Sequence, residues 1–284
     1  MSKRRSKSKR SKSKRSKDRR SKSRREKSRR SKNRREKSRR SKNRREIIVD
    51  PVFSKKSHKG TMASPCEIAY HYQSYDTFSE YIKAFLEVNP KIKSYVFTTG
   101  EPSDMMLELN ISTGDVYPIY ISKSNMLSHI KEAMSTNVTL IPIIFNIKIP
   151  DNPNHANVFM INKRTRNIEL FEPHGSRSTD STLGGYVGGY TKKVRYIKKY
   201  WADILPEYTV INAVDVINRS AFQTTRDPVD HSGYCVTWSL IYMQYRILNP
   251  TLTYRNLIQH IDTNITTKML LRFAREVEDT LKSA

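Results

Sequence analysis

The sequence predicts an α+β domain behind a disordered basic tail, and three observations carry that prediction. Residues 2–45 are a charged five-residue repeat with no apolar member. Several short runs between residues 94 and 216 are strand-like, either alternating or wholly apolar. Finally, Cys235 opens a run to Leu248 that is apolar on every side, as expected of a helix buried in the middle of a domain.

The tail accounts for the charge. The 284 residues hold 53 Lys+Arg against 27 Asp+Glu, a net +26. Residues 2–45 repeat SKSKR, SKDRR, SKSRR, EKSRR and SKNRR, with 27 basic residues and three acids (Asp18, Glu26, Glu36), and Glu46 closes the stretch. Such a segment buries nothing to offset its ordering entropy, so disorder is expected. Residues 47–284 keep 26 basic and 23 acidic residues, a net +3 that is ordinary for a globular domain. The expected organisation is a tail over 1–46, a linker over 47–65 and one domain over 66–284. At this charge density the tail tracks the phosphates of nucleic acid or another polyanion without reading sequence, and salt weakens the contact steeply. The tail also resembles arginine–serine-rich tails and a nuclear import signal; the plainer alternative is a solvated tether.

Other classes find no support. No apolar stretch is long enough to span a membrane, and the N-terminus lacks the apolar core of a secretory signal, so no membrane contact is expected. Two cysteines, Cys66 and Cys235, make no disulfide framework, which points to an intracellular reducing compartment. There is no CxxC, HExxH, EF-hand spacing or phosphate loop, so no metal or nucleotide cofactor is expected.

In chain order, the second half of residues 66–89 reads as an amphipathic helix with Phe78, Tyr81, Ile82 and Phe85 on one stripe. Residues 94–100 and 106–112 read as strands, and 116–122 as an edge strand because of Pro118. Residues 125–136 read as a helix and 139–149 as a strongly apolar strand. Residues 155–162 and 167–173 form a hairpin around Lys163-Arg164-Thr165-Arg166. If residue 162 pairs with 165, His155 stands opposite Glu172 on one face, close enough for an imidazole–carboxylate hydrogen bond. Residues 182–190 are a glycine-rich loop without phosphate-cradle spacing; 194–205 read as a helix, 208–216 as a strand, and 220–233 as a polar loop leading to Cys235. Asn249-Pro250 stops the helix that follows, and 252–263 and 267–283 read as amphipathic helices.

Four residues stand out on these elements: His155, Glu172, Gln223 and Cys235. A thiol at a helix N-terminus meets unpaired N–H groups and the positive end of the helix dipole, which favour the thiolate. A histidine can take and return its proton, a carboxylate can hold that imidazole, and a glutamine amide can receive an oxyanion. Taken singly, each is ordinary: the cysteine a small core residue, the histidine a turn cap, the glutamate a strand end, the glutamine a loop residue.

The motifs HAN (155–157), FEPHG (171–175) and GYCVTWS (233–239) resemble the superfamily of cysteine proteases that includes the SUMO-specific and adenovirus proteases, most closely the versions encoded by large and giant DNA viruses. The resemblance covers roughly residues 139–250. It implies a papain-like fold with a central mixed β-sheet, a buried helix starting at the cysteine and flanking helices. It also implies His155 as general base, Glu172 as its orienting acid, Cys235 as nucleophile and Gln223 as oxyanion donor. The sequence departs from that pattern in three places: Ala156 stands where many members carry tryptophan, Gln223 lies twelve residues before Cys235, and His174 offers a second imidazole. The implied activity is a thiol peptidase that removes ubiquitin-like modifiers or processes viral precursors, in a virion or host nucleus. Two alternatives stay open: an acetyltransferase on the same fold, and a non-catalytic virion or nucleic-acid-binding protein whose tail carries the function.

Overall fold

The structure is a computed structural model, and it describes residues 48–50, 75–148, 155–173, 190–217, 222 and 234–283. The chain divides into Met1–Ile47 and Ile48–Ala284, and every described residue belongs to the second unit. The expectations for the tail, Cys66, the glycine-rich loop over 182–189, His174 and Gln223 lie outside the described residues.

Among the described residues, six strands form one mixed sheet: β1 (Met106–Asn110), β2 (Val116–Pro118), β3 (Leu140–Lys148), β4 (His155–Asn162), β5 (Asn167–Phe171) and β6 (Thr209–Asn212), in the order β2-β1-β3-β4-β5-β6. The β1–β3 and β5–β6 pairs are parallel, and the rest are antiparallel. The helices are α1 (Tyr75–Val88), α2 (Lys123–Ser135), α3 (Tyr190–Ile204), α4 (Ala213–Ile217), α5 (Cys235–Leu248), α6 (Tyr254–Asn264) and α7 (Thr267–Ser283).

The strands at the centre bury both faces. On one face Ile144, Ala156, Val158, Met160 and Phe171 share a core with α5 and with residues of α1, α6 and α7. On the other, Phe145, Phe159, Ile161, Ile168 and Leu170 pack with Ile130 of α2 and with Ile197 and Trp201 of α3. The result is a three-layer α/β/α sandwich, which is why β4 is buried along its whole length and its sequence does not alternate simply. Helix α5 lies between β4 and the two C-terminal helices, so its all-round apolar character matches all-round burial. This α+β architecture, with a central mixed sheet, a buried helix beginning at Cys235 and flanking helices, is the one the sequence predicted.

Buried polar groups fix the far end of α5. Arg246 donates to Glu169 at 2.6 Å and to the carbonyls of Asn249 and Leu252, while Tyr242 and Asn162 donate to the same carboxylate. Just beyond α5, Asn249 brackets Val49 through both of that residue's backbone groups, and Asp50 accepts from the hydroxyl of Tyr245 and meets His260. Part of the expected linker is thus fastened at the C-terminal end of α5.

Three sequence expectations are corrected. Residues 94–100 form a single parallel bridge, Val96 to Leu140, rather than a strand. The 3-10 turn Pro90–Ser94 precedes it, and β1 occupies the edge of β3 from Ile144 onward, leaving this run one rung to pair with. The strand expected over 208–216 ends at Asn212, which pairs with Leu170 near the end of β5; α4 follows directly. The third correction concerns the hairpin. Asn162 pairs with Asn167, so the connection is four residues long and the register lies two residues from the expected one. The expected two-residue Lys163-Arg164 turn needs a positive φ at one or both of its central positions, which neither residue favours. The observed turn has one, at Arg166 (φ 52°), and the Asn162 side-chain oxygen accepts from the backbone N–H groups of Arg164 and Thr165. The Lys163 ammonium then reaches the carbonyls of Ala133, Met134 and Thr136 and caps the C-terminus of α2.

Candidate active site

At one end of the sheet, His155 opens β4 and Glu172 follows the last residue of β5. A two-residue slip preserves side-chain parity, so both still project to the same face. Continued past Val158 and Phe171, the observed register sets Glu172 opposite Asn157 and leaves His155 on the diagonal. The side chains span it: His155 Nε2 hydrogen-bonds Glu172 Oε1. Asn157 donates to the His155 carbonyl at 3.0 Å, fixing the backbone that carries the imidazole.

Cys235 is the first residue of α5 and is 6% exposed. Its thiol hydrogen-bonds the His155 side chain and the backbone N–H groups of Ala156 and Val236. With Nε2 engaged by Glu172, the nitrogen that faces the sulfur is Nδ1. One turn into α5, the Ser239 hydroxyl donates to the Ala156 carbonyl at 3.3 Å and holds the start of β4 against the helix.

The electrostatics separate the two protons. Burial alone would lower the pKa of His155, but the Glu172 charge and the hydrogen bonds to Cys235 and Glu172 raise it to about 9. Burial likewise pushes the Cys235 thiol up, and the hydrogen bond and charge of His155, with the two backbone amides, bring it below its ordinary value. Both displacements favour a thiolate facing an imidazolium over a neutral thiol facing a neutral imidazole.

Three of the four sequence candidates meet here: His155, Glu172 and Cys235. Gln223 lies outside the described residues, as does His174. Sequence reading missed a further member, Lys193, whose ammonium lies 2.5 Å from Glu172 Oε2 and whose side chain is 7% exposed. Its signal was its spacing: Lys193, Ile197 and Trp201 recur every four residues, which places a lysine on the buried stripe of α3.

Among the described residues, no cluster of His, Cys, Asp or Glu is arranged to hold a metal, and no helix is long and apolar enough to cross a membrane.

Several solved structures are similar to this chain. ChlaDub1 from Chlamydia trachomatis matches at 10% identity and a TM-score of 0.42, over 74% of this chain and 93% of that one. The Legionella pneumophila effector RavZ, solved in complex with human LC3B, matches at 13% identity and a TM-score of 0.38, over 66% and 48%. The SUMO protease Ulp1 matches at 11% identity and a TM-score of 0.31, over 81% and 88%. No protein-family model and no curated protein matches the chain. At scores and identities this low, none of these likenesses carries chemistry over to this chain.

Proposed function

We propose that the chain is a cysteine-type peptidase that cleaves peptide or isopeptide bonds in a protein substrate. Cys235 is the nucleophile, His155 the general base and acid, Glu172 the group that orients the imidazole, and Gln223 an oxyanion donor. The observation that carries this reading is the position of one imidazole, hydrogen-bonded to Glu172 on one side and to the thiol at the head of a buried helix on the other. The same contact favours His155 over His174 as the base.

The thiolate attacks the carbonyl carbon, and the oxygen takes up the negative charge as the tetrahedral intermediate forms. That oxyanion needs hydrogen-bond donors, which the helix N-terminus and the Gln223 amide supply. The His155 imidazolium gives its proton to the leaving nitrogen, the C–N bond breaks, and the acyl group stays on sulfur. Neutral His155 then takes a proton from water, whose oxygen attacks the thioester and restores the thiolate. Glu172 stabilises the imidazolium whenever it forms.

The substrate class comes from the motif resemblance and not from the site geometry: a ubiquitin-like conjugate or a viral precursor protein. The tail over residues 2–45 serves as a tether to nucleic acid or another polyanion, on the strength of its charge density.

Two measurements on the full chain test the proposal. Wild-type protein releases amine from fluorogenic amides of ubiquitin-like C-terminal peptides, and Cys235→Ala abolishes both release and labelling by a thiol-directed acyl probe. Undiminished labelling of the alanine variant, or acetyl-coenzyme A consumption without cleavage, overturns it. Deleting residues 2–45 leaves peptide cleavage unchanged and removes salt-sensitive binding to polyanions; equal binding without the tail refutes the tether.

A further inference from the structure

We propose that Lys193 is a positioning residue for this reaction, sharing the charge of Glu172 with His155 so that the imidazolium is held firmly enough to form and loosely enough to give up its proton. The inference rests on the reading of Cys235, His155 and Glu172 as the reacting set.

The geometry divides Glu172 between two cations. Oε1 meets His155 Nε2 and Oε2 meets the Lys193 ammonium, and the Glu172 side chain is 1% exposed, so water does little to screen either contact. Lys193 sits near the start of α3, on the stripe that continues through Ile197 and Trp201 into the core against Phe159. An apolar side chain at this place on the stripe would extend the core. A lysine there brings a desolvation penalty that only a specific partner offsets.

Among the described residues, the charged or titratable groups meeting here are Cys235 from α5, His155 from β4, Glu172 after β5 and Lys193 from α3. In the reactive state these four charges alternate: thiolate, imidazolium, carboxylate, ammonium. Removing the ammonium takes one positive charge from beside Glu172 in a buried site. The imidazolium is then bound more tightly and becomes a poorer acid toward the leaving nitrogen. A carboxylate held by two cations through separate oxygens also loses its freedom to rotate, which keeps Oε1 on the ring.

The test compares the full chain with Lys193→Met and Lys193→Arg. Histidine-labelled protein reports the His155 titration by NMR, with His155→Gln identifying the signal, and kcat and KM are measured on the same fluorogenic amide. Lys193→Met raises the His155 midpoint by about one pH unit. It also lowers kcat about tenfold with KM nearly unchanged. Lys193→Arg, which keeps the charge, stays near wild type in both. A midpoint that is unmoved or lowered in a folded Lys193→Met protein overturns the proposal. Should the methionine variant not fold, a Lys193→Arg protein that folds but titrates and turns over unlike wild type does the same. Failure of the underlying reading looks different: wild-type Cys235 would then react with iodoacetamide no faster at neutral pH than a free thiol.

Discussion

His155 and Glu172 touch across the β4–β5 hairpin although they are not directly opposed; the carboxylate reaches the imidazole along a diagonal, two residues out of register. A diagonal contact depends on side-chain length, so Glu172→Asp, one methylene shorter, falls short of the ring where glutamate reaches it. Glu172→Gln keeps the length and removes the charge. Both variants are expected to lose activity, by about 10²- to 10⁴-fold in kcat/KM, the range of a well-placed acid–base contribution. The glutamine variant also lowers the His155 midpoint from about 9, because the Glu172 charge is a main cause of its elevation. A glutamine variant as active as wild type contradicts the assigned role.

The pH dependence of kcat/KM follows from the opposed displacements of the two groups. Cys235 lies below its ordinary value, so activity is lost in acid as the thiolate takes up a proton. His155 lies at about 9, so the imidazolium is present below that pH and the alkaline limb falls there. The two groups interact, so both limbs belong to the pair. Stability carries the same signature: a histidine raised from about 6.5 contributes fully below that value, and the contribution fades as the pH climbs toward 9. Urea midpoints measured from neutral pH upward in Cys235→Ala and in Cys235→Ala/His155→Gln, where the opposite-signed contribution of the lowered thiol is absent, separate this contribution; parallel curves would exclude it.

Much of this site was legible in the chain. An apolar run opened by a cysteine reads as a buried helix because few other structures satisfy so many apolar neighbours at once, and Asn249-Pro250 marks its end. The hairpin was legible from its flanking apolar runs, but its register was not. Register here depends on one side-chain oxygen, that of Asn162, and one left-handed residue, Arg166, and neither leaves a pattern in Lys-Arg-Thr-Arg. Lys193 was illegible as a partner of Glu172, since the two stand 21 residues apart on different elements and no local pattern links them. The meeting of His155 with Cys235, eighty positions apart, required the packing of α5 on β4, which local sequence does not encode.

The Glu169–Arg246 pair anchors the end of α5 opposite the thiol, and both side chains are fully buried. Removing one partner strands the other charge without water, so Arg246→Met is expected to destabilise the fold by about 3–5 kcal/mol. Tyr242→Phe removes one hydrogen bond from the same carboxylate and should cost about 1–2 kcal/mol. Denaturant unfolding provides both numbers. An Arg246→Met protein as stable as wild type would show that the network does not hold α5 in place.

Arg166 offers the reverse case, a residue whose side chain is exposed and whose backbone is strained. At φ 52° its Cβ crowds the following carbonyl, a conformation that costs a non-glycine residue about 1–2 kcal/mol. Glycine removes that crowding but enlarges the unfolded ensemble, which returns part of the gain. Arg166→Gly is therefore expected to stabilise the hairpin by about 0.5–1 kcal/mol, read as a small rise in melting temperature with cleavage unchanged. The direction depends on the four-residue turn: in a register pairing residue 162 with 165, Arg166 would lie in the strand itself, and glycine there would weaken it. A fall in melting temperature for Arg166→Gly would thus argue for the other register, and with it for a directly opposed His155 and Glu172.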